Sequence, residues 1–202
     1  ELDIHAQPSE FLLQDVLDHY EIAQADYGIC ILHSVTSEVG DMGQQAADLF
    51  RALKQSGKYF VVIKPNNDPG SEGILSLIET LPEAQFKVIP SMRFSRFSEL
   101  LRNAACILGN SSSGVREAPF LGIPSLDVGS RQTDRAFSAS ICKLAAEDTV
   151  GILEFITTNW FKRYERQGEF GDGNATQKFI DLLKSDAFWQ RSMQKKFYDI
   201  SS

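Results

Sequence analysis

Between residues 27 and 129 short β-rich runs alternate with stretches long enough to hold a helix. The runs are YGICILHS, KYFVVIKPN, FKVIP, CILGN and SLDVG. Parallel strands need crossover connections, and strands buried on both faces read as continuous apolar runs. The pattern therefore predicts an α/β domain: a mostly parallel sheet with helices on both faces, joined by right-handed crossovers. The spacing places helices at about 42–56, 72–80, 94–104 and 111–121, with another around 10–20 and more after 147. Residues 163–175, RYERQGEFGDGNA, read as a polar loop leading to a helix capped by Asn174. The end of the chain, 186–199, sets Phe188, Trp189, Met193 and Phe197 close to one helical stripe.

Composition narrows the function. With 202 residues, 43% of them apolar and 23% charged, the chain can bury one sizeable core. Its formal charge of -7 comes without any strongly basic stretch, which argues against a nucleic-acid surface. No apolar run approaches the roughly 20 residues that span a bilayer, and the first residues, ELDIHAQPSE, lack the features of a signal peptide, so the expectation is a cytoplasmic chain with no membrane partner. Cys30, Cys106 and Cys142 lie far apart, away from metal-ligand spacing, and read as free thiols; no metal and no cofactor are expected. Any anion site must be local.

In open α/β sheets ligands bind outside the carboxyl ends of the strands, so the residues that follow each strand are the ones that matter. Here they are His33-Ser34, the run Pro65 to Ser71, Ser91-Met92-Arg93, the run Gly109 to Gly114, and Gly129-Ser130-Arg131-Gln132. In GNSSSGVRE an apolar strand leads into a helix, so main-chain N–H groups and the hydroxyls of Ser111, Ser112 and Ser113, with Gly114 behind them, could cradle a diphosphate. The plain alternative is that Ser111 or Ser112 caps the helix. Arg131, from the neighbouring strand end, could neutralise the phosphates. Glu117, expected in the second turn of the same helix, could accept two ribose hydroxyls or be a surface glutamate without a role. His33 could face a leaving phosphate or be a hydrogen-bonded structural residue. Asn66 suits a sugar or phosphate contact, although Asn-Asp-Pro-Gly is also a good turn.

The ordered series LHSVTSE, KPNNDPGS, GNSSSGVREAPFLGIPSLDVGSRQ and FGDGNA resembles the carboxyl-terminal half of the UDP-N-acetylglucosamine 2-epimerases over about residues 25–183. It is most similar to the hydrolysing branch that feeds sialic-acid and related nonulosonate or polysaccharide synthesis. The resemblance implies a Rossmann-like domain, one half of a glycosyltransferase-B-type enzyme that holds its sugar nucleotide between two domains. It assigns His33 to the active site and Asn66 to the ligand pocket, gives Ser111 and Ser112 to the phosphates and Glu117 to the ribose, and places Arg131 at the nucleotide end. Ser91 and Met92 match the loop that borders the uracil. Family members commonly have His-Pro-Val-Thr where this chain has His33-Ser34-Val35-Thr36, which loosens the turn and keeps the histidine.

By the same resemblance the reaction is an elimination. The proton at sugar C2 is removed, UDP leaves from C1, and the glycal is hydrated to N-acetylmannosamine. The acid and base carboxylates come from an amino-terminal domain, expected to be missing from this chain, so the fragment is expected to bind UDP without turning over. Residues 1–24 are then expected to be the interdomain connection and its helix, 25–183 the UDP-binding domain, and 184–202 a terminal helix directed toward the missing half. The full-length protein is expected to be a homo-oligomer, with an effector site, if present, at the 67–73 loop. A glycosyltransferase of the same build and a non-catalytic binding module are the competing readings. The first predicts sugar transfer to an acceptor, the second no loss of turnover in the full-length protein when His33 is replaced.

Overall fold

The structure, a computed structural model, describes residues 1–192 and 194. Among the described residues six strands form one sheet: β1 (Gly28–Ile31), β2 (Phe60–Ile63), β3 (Phe86–Ile89), β4 (Ile107–Gly109), β5 (Ser125–Val128) and β6 (Ile141–Leu144). Every pairing is parallel and the order is β3-β2-β1-β4-β5-β6, the Rossmann order. The sixth strand was not expected. Its four residues, ICKL, sit at the sheet edge and are only partly buried, so they carry little of the apolar signal that marks the inner strands.

Helices α1 (Leu2–Ala6) and α2 (Leu13–His19) precede β1. The crossovers are α3 (Met42–Gln55), α4 (Ser71–Ile78), α5 (Phe94–Asn103) and the pair α6 (Ser112–Val115) and α7 (Glu117–Leu121); α8 (Thr149–Asn159), α9 (Ala175–Lys184) and α10 (Asp186–Trp189) follow β6. Alternation along each strand feeds two cores. Cys30, Leu32, Phe60, Val62, Leu108, Leu126 and Val128 meet Leu49, Phe50, Leu53, Ile74 and Ile152 on the α3–α4–α8 side. Ile29, Ile31, Val61, Ile89 and Ile107 meet Val16, Leu17, Phe97, Leu100, Leu101, Ala118 and Leu121 on the other. Residues 1–24 thus pack onto this domain through α2, which lies on α5, and through α1, which lies on α5 and α7.

Three local expectations change. The single helix at 111–121 breaks at Arg116, whose dihedrals are φ -112 and ψ -58. Pro119 explains this, because it has no N–H for the Val115 carbonyl and its ring would collide with that carbonyl in a continuous helix. Glu117 consequently opens α7 instead of lying in the second turn of one long helix. Asn174 does stand at the N-cap of α9, but its side chain makes no cap bond; Asp3 of α1 does so, accepting from the N–H of Ala175 at 3.1 Å and of Thr176 at 2.6 Å. The terminal helix closes at Trp189, whose indole N–H folds back onto the Leu183 carbonyl at 2.7 Å. Met193 and Phe197 of the expected stripe lie outside the described residues. No residue of α9 is buried, and Phe179, Ile180, Leu182 and Trp189 are exposed.

The β4 end is fixed by a glycine. Gly109 has φ +123, and a Cβ there would stand 2.0 Å from the Ile31 carbonyl oxygen. Gly109→Ala is expected to lower stability by about 3 kcal/mol or more, from overpacking added to backbone strain; a urea midpoint equal to that of the parent would show that this turn can shift. His5 is 1% exposed, with Nδ1 2.7 Å from the Ser98 hydroxyl, and burial, helped by Arg102, lowers its pKa from 6.5 to about 4. The folded state therefore binds fewer protons than the unfolded one between these values, so this contribution is complete above pH 6.5 and disappears as pH falls toward about 4. Comparing urea unfolding at pH 7 and pH 4.5, His5→Gln should show a flatter pH dependence than the parent; an unchanged slope would remove His5 as a source.

Candidate functional site at the strand-order reversal

β1 lies between β2 and β4, so the chain leaves its carboxyl end on one side to reach β2 and later returns on the other as β4. This reversal opens the crevice in which such sheets hold ligands. His33 follows β1 and Asn110 follows β4. They are joined by two bonds: the His33 N–H donates to Asn110 Oδ1 at 2.7 Å, and Asn110 Nδ2 donates to the His33 carbonyl at 2.8 Å. Asn110 is 1% exposed, and its own N–H donates to the Ile31 carbonyl at 3.1 Å.

The Asn110 carbonyl gathers the loop after β5, accepting from Gln132 Nε2 at 2.8 Å and from Arg131 Nη1 at 3.2 Å. That loop is also tied to the turn after β1, where Glu38 accepts from the Ser130 hydroxyl and, at 2.9 Å, from the Gln45 amide of α3. These two bonds, Ser130 first, lower the Glu38 pKa. The loop after β2 joins through Asn66, whose main-chain N–H donates to His33 Nδ1 at 3.4 Å. The His33 ring is half-buried; burial and, after it, Arg131 lower its pKa, while Asp68 opposes them.

In the serine turn Ser111 takes the capping role, its hydroxyl accepting from the Ser113 N–H at 3.3 Å. Ser112 and Ser113 are half-buried, and Gly114 is buried so tightly that a Cβ would lie 2.7 Å from Ser125 Oγ. Glu117 is 3% exposed and its Oε2 has no partner, so burial, followed by the charge of Glu1, raises its pKa. A buried carboxylate oxygen without a donor among the described residues is costly, and the raised pKa eases that cost by favouring the neutral carboxyl group. The surface reading of Glu117 is therefore wrong.

The structure thus brings His33, Asn66 and Arg131 to one junction at the end of β4, from which the serine turn departs. Ser91 and Met92 stand after β3 at the same carboxyl edge, Ser91 exposed and Met92 packed on the second core, and no hydrogen bond among the described residues ties either to His33 or Asn110. Asn110 and Gln132 were named at the strand ends but given no role of their own. A polar residue pressed between an apolar strand and a serine turn was the available signal for Asn110; Gln132 gave none beyond its place beside Arg131.

The family model described as UDP-N-acetylglucosamine 2-epimerase matches residues 3–184. The chain is 37% identical over 205 residues to a UDP-N-acetylglucosamine 2-epimerase of Neisseria meningitidis serogroup B, covering 100% of this chain and 54% of that protein. It is 27% identical over 178 residues to a UDP-N,N'-diacetylbacillosamine 2-epimerase (hydrolyzing) of Legionella pneumophila, covering 85% of this chain and 46% of that one. The crystal structure of UDP-GlcNAc 2-epimerase from Neisseria meningitidis bound to UDP-GlcNAc superposes with a TM-score of 0.66 at 21% identity, over 85% of this chain and 49% of that one. The chain spans about half the length of the curated relatives it matches. With a parallel six-stranded Rossmann-like sheet, a polar junction at its reversal point and a family match over residues 3–184, the chain belongs to the UDP-N-acetylglucosamine 2-epimerase family.

Proposed function

We propose that this chain is the carboxyl-terminal, UDP-binding half of a hydrolysing UDP-N-acetylglucosamine 2-epimerase. The enzyme takes UDP-GlcNAc, or a related diacetamido sugar nucleotide, to an N-acetylmannosamine-type sugar and UDP, for sialic-acid, nonulosonate or surface-polysaccharide synthesis. The observation that carries this reading is the Asn110 junction, which sets His33 and Arg131 at the crevice from which the serine turn departs. Arg131 and the serine turn hold the diphosphate, Glu117 takes the ribose hydroxyls, the Ser91-Met92 loop borders the uracil, and His33 and Asn66 face the phosphate–sugar bond. The carboxylates that move the C2 proton belong to an amino-terminal half, and the exposed apolar face of α9 and α10 is where that half rests. The hydrolysing assignment is supported by the name of the Legionella relative.

Calorimetric titration of this chain with UDP tests the reading, with UMP and ADP as controls. Saturable binding that prefers UDP is expected; equal response to all three would remove the uridine and diphosphate specificity. Arg131→Ala should weaken UDP binding about ten- to a hundredfold, the loss of a charge-assisted contact worth roughly 1.5–3 kcal/mol. Unchanged affinity in a folded variant would place Arg131 outside the site. Glu117→Gln should reduce the preference for UDP over 2′-deoxy-UDP, and a preference that survives intact would mean the ribose lies elsewhere. Joined to its amino-terminal half, the protein should release free N-acetylmannosamine and UDP; sugar transfer to an acceptor would favour the glycosyltransferase reading instead.

A further inference from the structure

His33 is restrained at its main chain and at its ring. Asn110 satisfies both main-chain groups, and the Asn66 main-chain N–H approaches Nδ1. A main-chain amide nitrogen can only donate, so in this arrangement Nδ1 carries no proton and the ring proton resides on Nε2. Nε2 has no hydrogen-bond partner among the described residues, and it is not one of the sealed polar atoms. Protonating Nδ1 would set two N–H groups against each other. The charged groups that act on the ring are Arg131, from the loop after β5, which disfavours an imidazolium, and Asp68, from the loop after β2, which favours one. Burial, the largest effect, acts with Arg131 against Asp68, and the balance lies with the neutral ring.

We propose that Asn110 and the Asn66 main-chain N–H together hold His33 as a neutral imidazole with its proton on Nε2, a fixed hydrogen-bond donor toward the diphosphate subsite and not a proton donor. The direction of that donor rests on the function proposed above, whereas the tautomer stands on the geometry alone. The chemistry is consistent with it. A departing UDP is a stable phosphate anion near neutrality, the last phosphate proton having a pKa of about 6 in simple phosphoesters, so its release calls for charge stabilisation and not for a transferred proton. A donor whose protonation does not change during the step keeps its geometry throughout. Asn110 is then a positioning residue, acting through His33.

The test uses the 15N-labelled chain and long-range 1H–15N spectra of the imidazole rings, with His33 identified by its loss in His33→Gln. At pH 7 the ring should be the neutral Nε2–H tautomer and should take up a proton only below the ordinary histidine value of 6.5. An Nδ1–H tautomer, or an imidazolium at pH 7, would overturn the proposal from the parent spectrum alone. Asn66→Ala keeps the main-chain N–H and should leave the tautomer unchanged. Asn110→Ala should give a tautomer mixture and a titration midpoint nearer 6.5, while the His5 signals report that the fold persists; an unaltered His33 in that variant would overturn the role of Asn110. Adding UDP should shift the Nε2–H resonance. Binding without such a shift would overturn the donor role, whereas no UDP binding, with the tautomer as expected, would count against the proposed function and leave the ring assignment intact.

Discussion

A planar carboxamide continues the hydrogen-bond ladder past the ends of β1 and β4. Strand ends leave main-chain donors and acceptors without ladder partners, and Asn110 presents one of each to His33. Its burial makes the arrangement obligatory, since an unmade bond here would cost about 1–3 kcal/mol. Because its carbonyl also accepts from Gln132 and Arg131, the same residue fixes where the loop after β5 can stand. Gly109 is the condition for this geometry, because no side chain fits where the turn passes the Ile31 carbonyl.

The electrostatics of the site are local. The whole chain carries a formal charge of -7, and the Debye length of about 8 Å at physiological salt confines the effect of exposed surface carboxylates. Within the crevice the half-buried guanidinium of Arg131 disfavours charge on His33 and leaves an attractive point for an anion. Glu117 is buried with one oxygen unpartnered among the described residues, and burial, followed by the charge of Glu1, raises its pKa. The guanidinium and the buried carboxyl group thus stand on different elements, Arg131 after β5 and Glu117 at the start of α7.

The two sides of the molecule are completed to different degrees. α3 buries Leu49, Phe50 and Leu53 against the sheet, and α5 buries Phe97, Leu100 and Leu101, so the sheet is covered on both faces. α9 is amphipathic yet buries nothing; it is attached through the Asp3 carboxylate at its first turn and carries Phe179, Ile180 and Leu182 into solvent. Exposed apolar side chains gathered on one helix mark a surface suited to contact, and it is there that we propose the amino-terminal half rests.

The alternation of apolar runs with helical stretches determined the parallel sheet, its five inner and edge strands from β1 to β5 and the crossover helices, because burial on both faces writes itself into consecutive residues. The polar residues at the strand ends likewise marked the carboxyl edge at which the structure gathers His33, Asn66 and Arg131. Tertiary structure alone decided the rest. β6 exists because β5 offers an edge to pair with, not because ICKL demands extension. Asp3, 172 residues before Ala175, provides the cap that local sequence assigned to Asn174. Glu117 became a buried acceptor because Pro119 broke its helix, and Asn110 became the hub because the strand order places β4 against β1. Local sequence encodes periodicity and steric limits, whereas partners distant along the chain are chosen only when the folded sheet brings their donors and acceptors together.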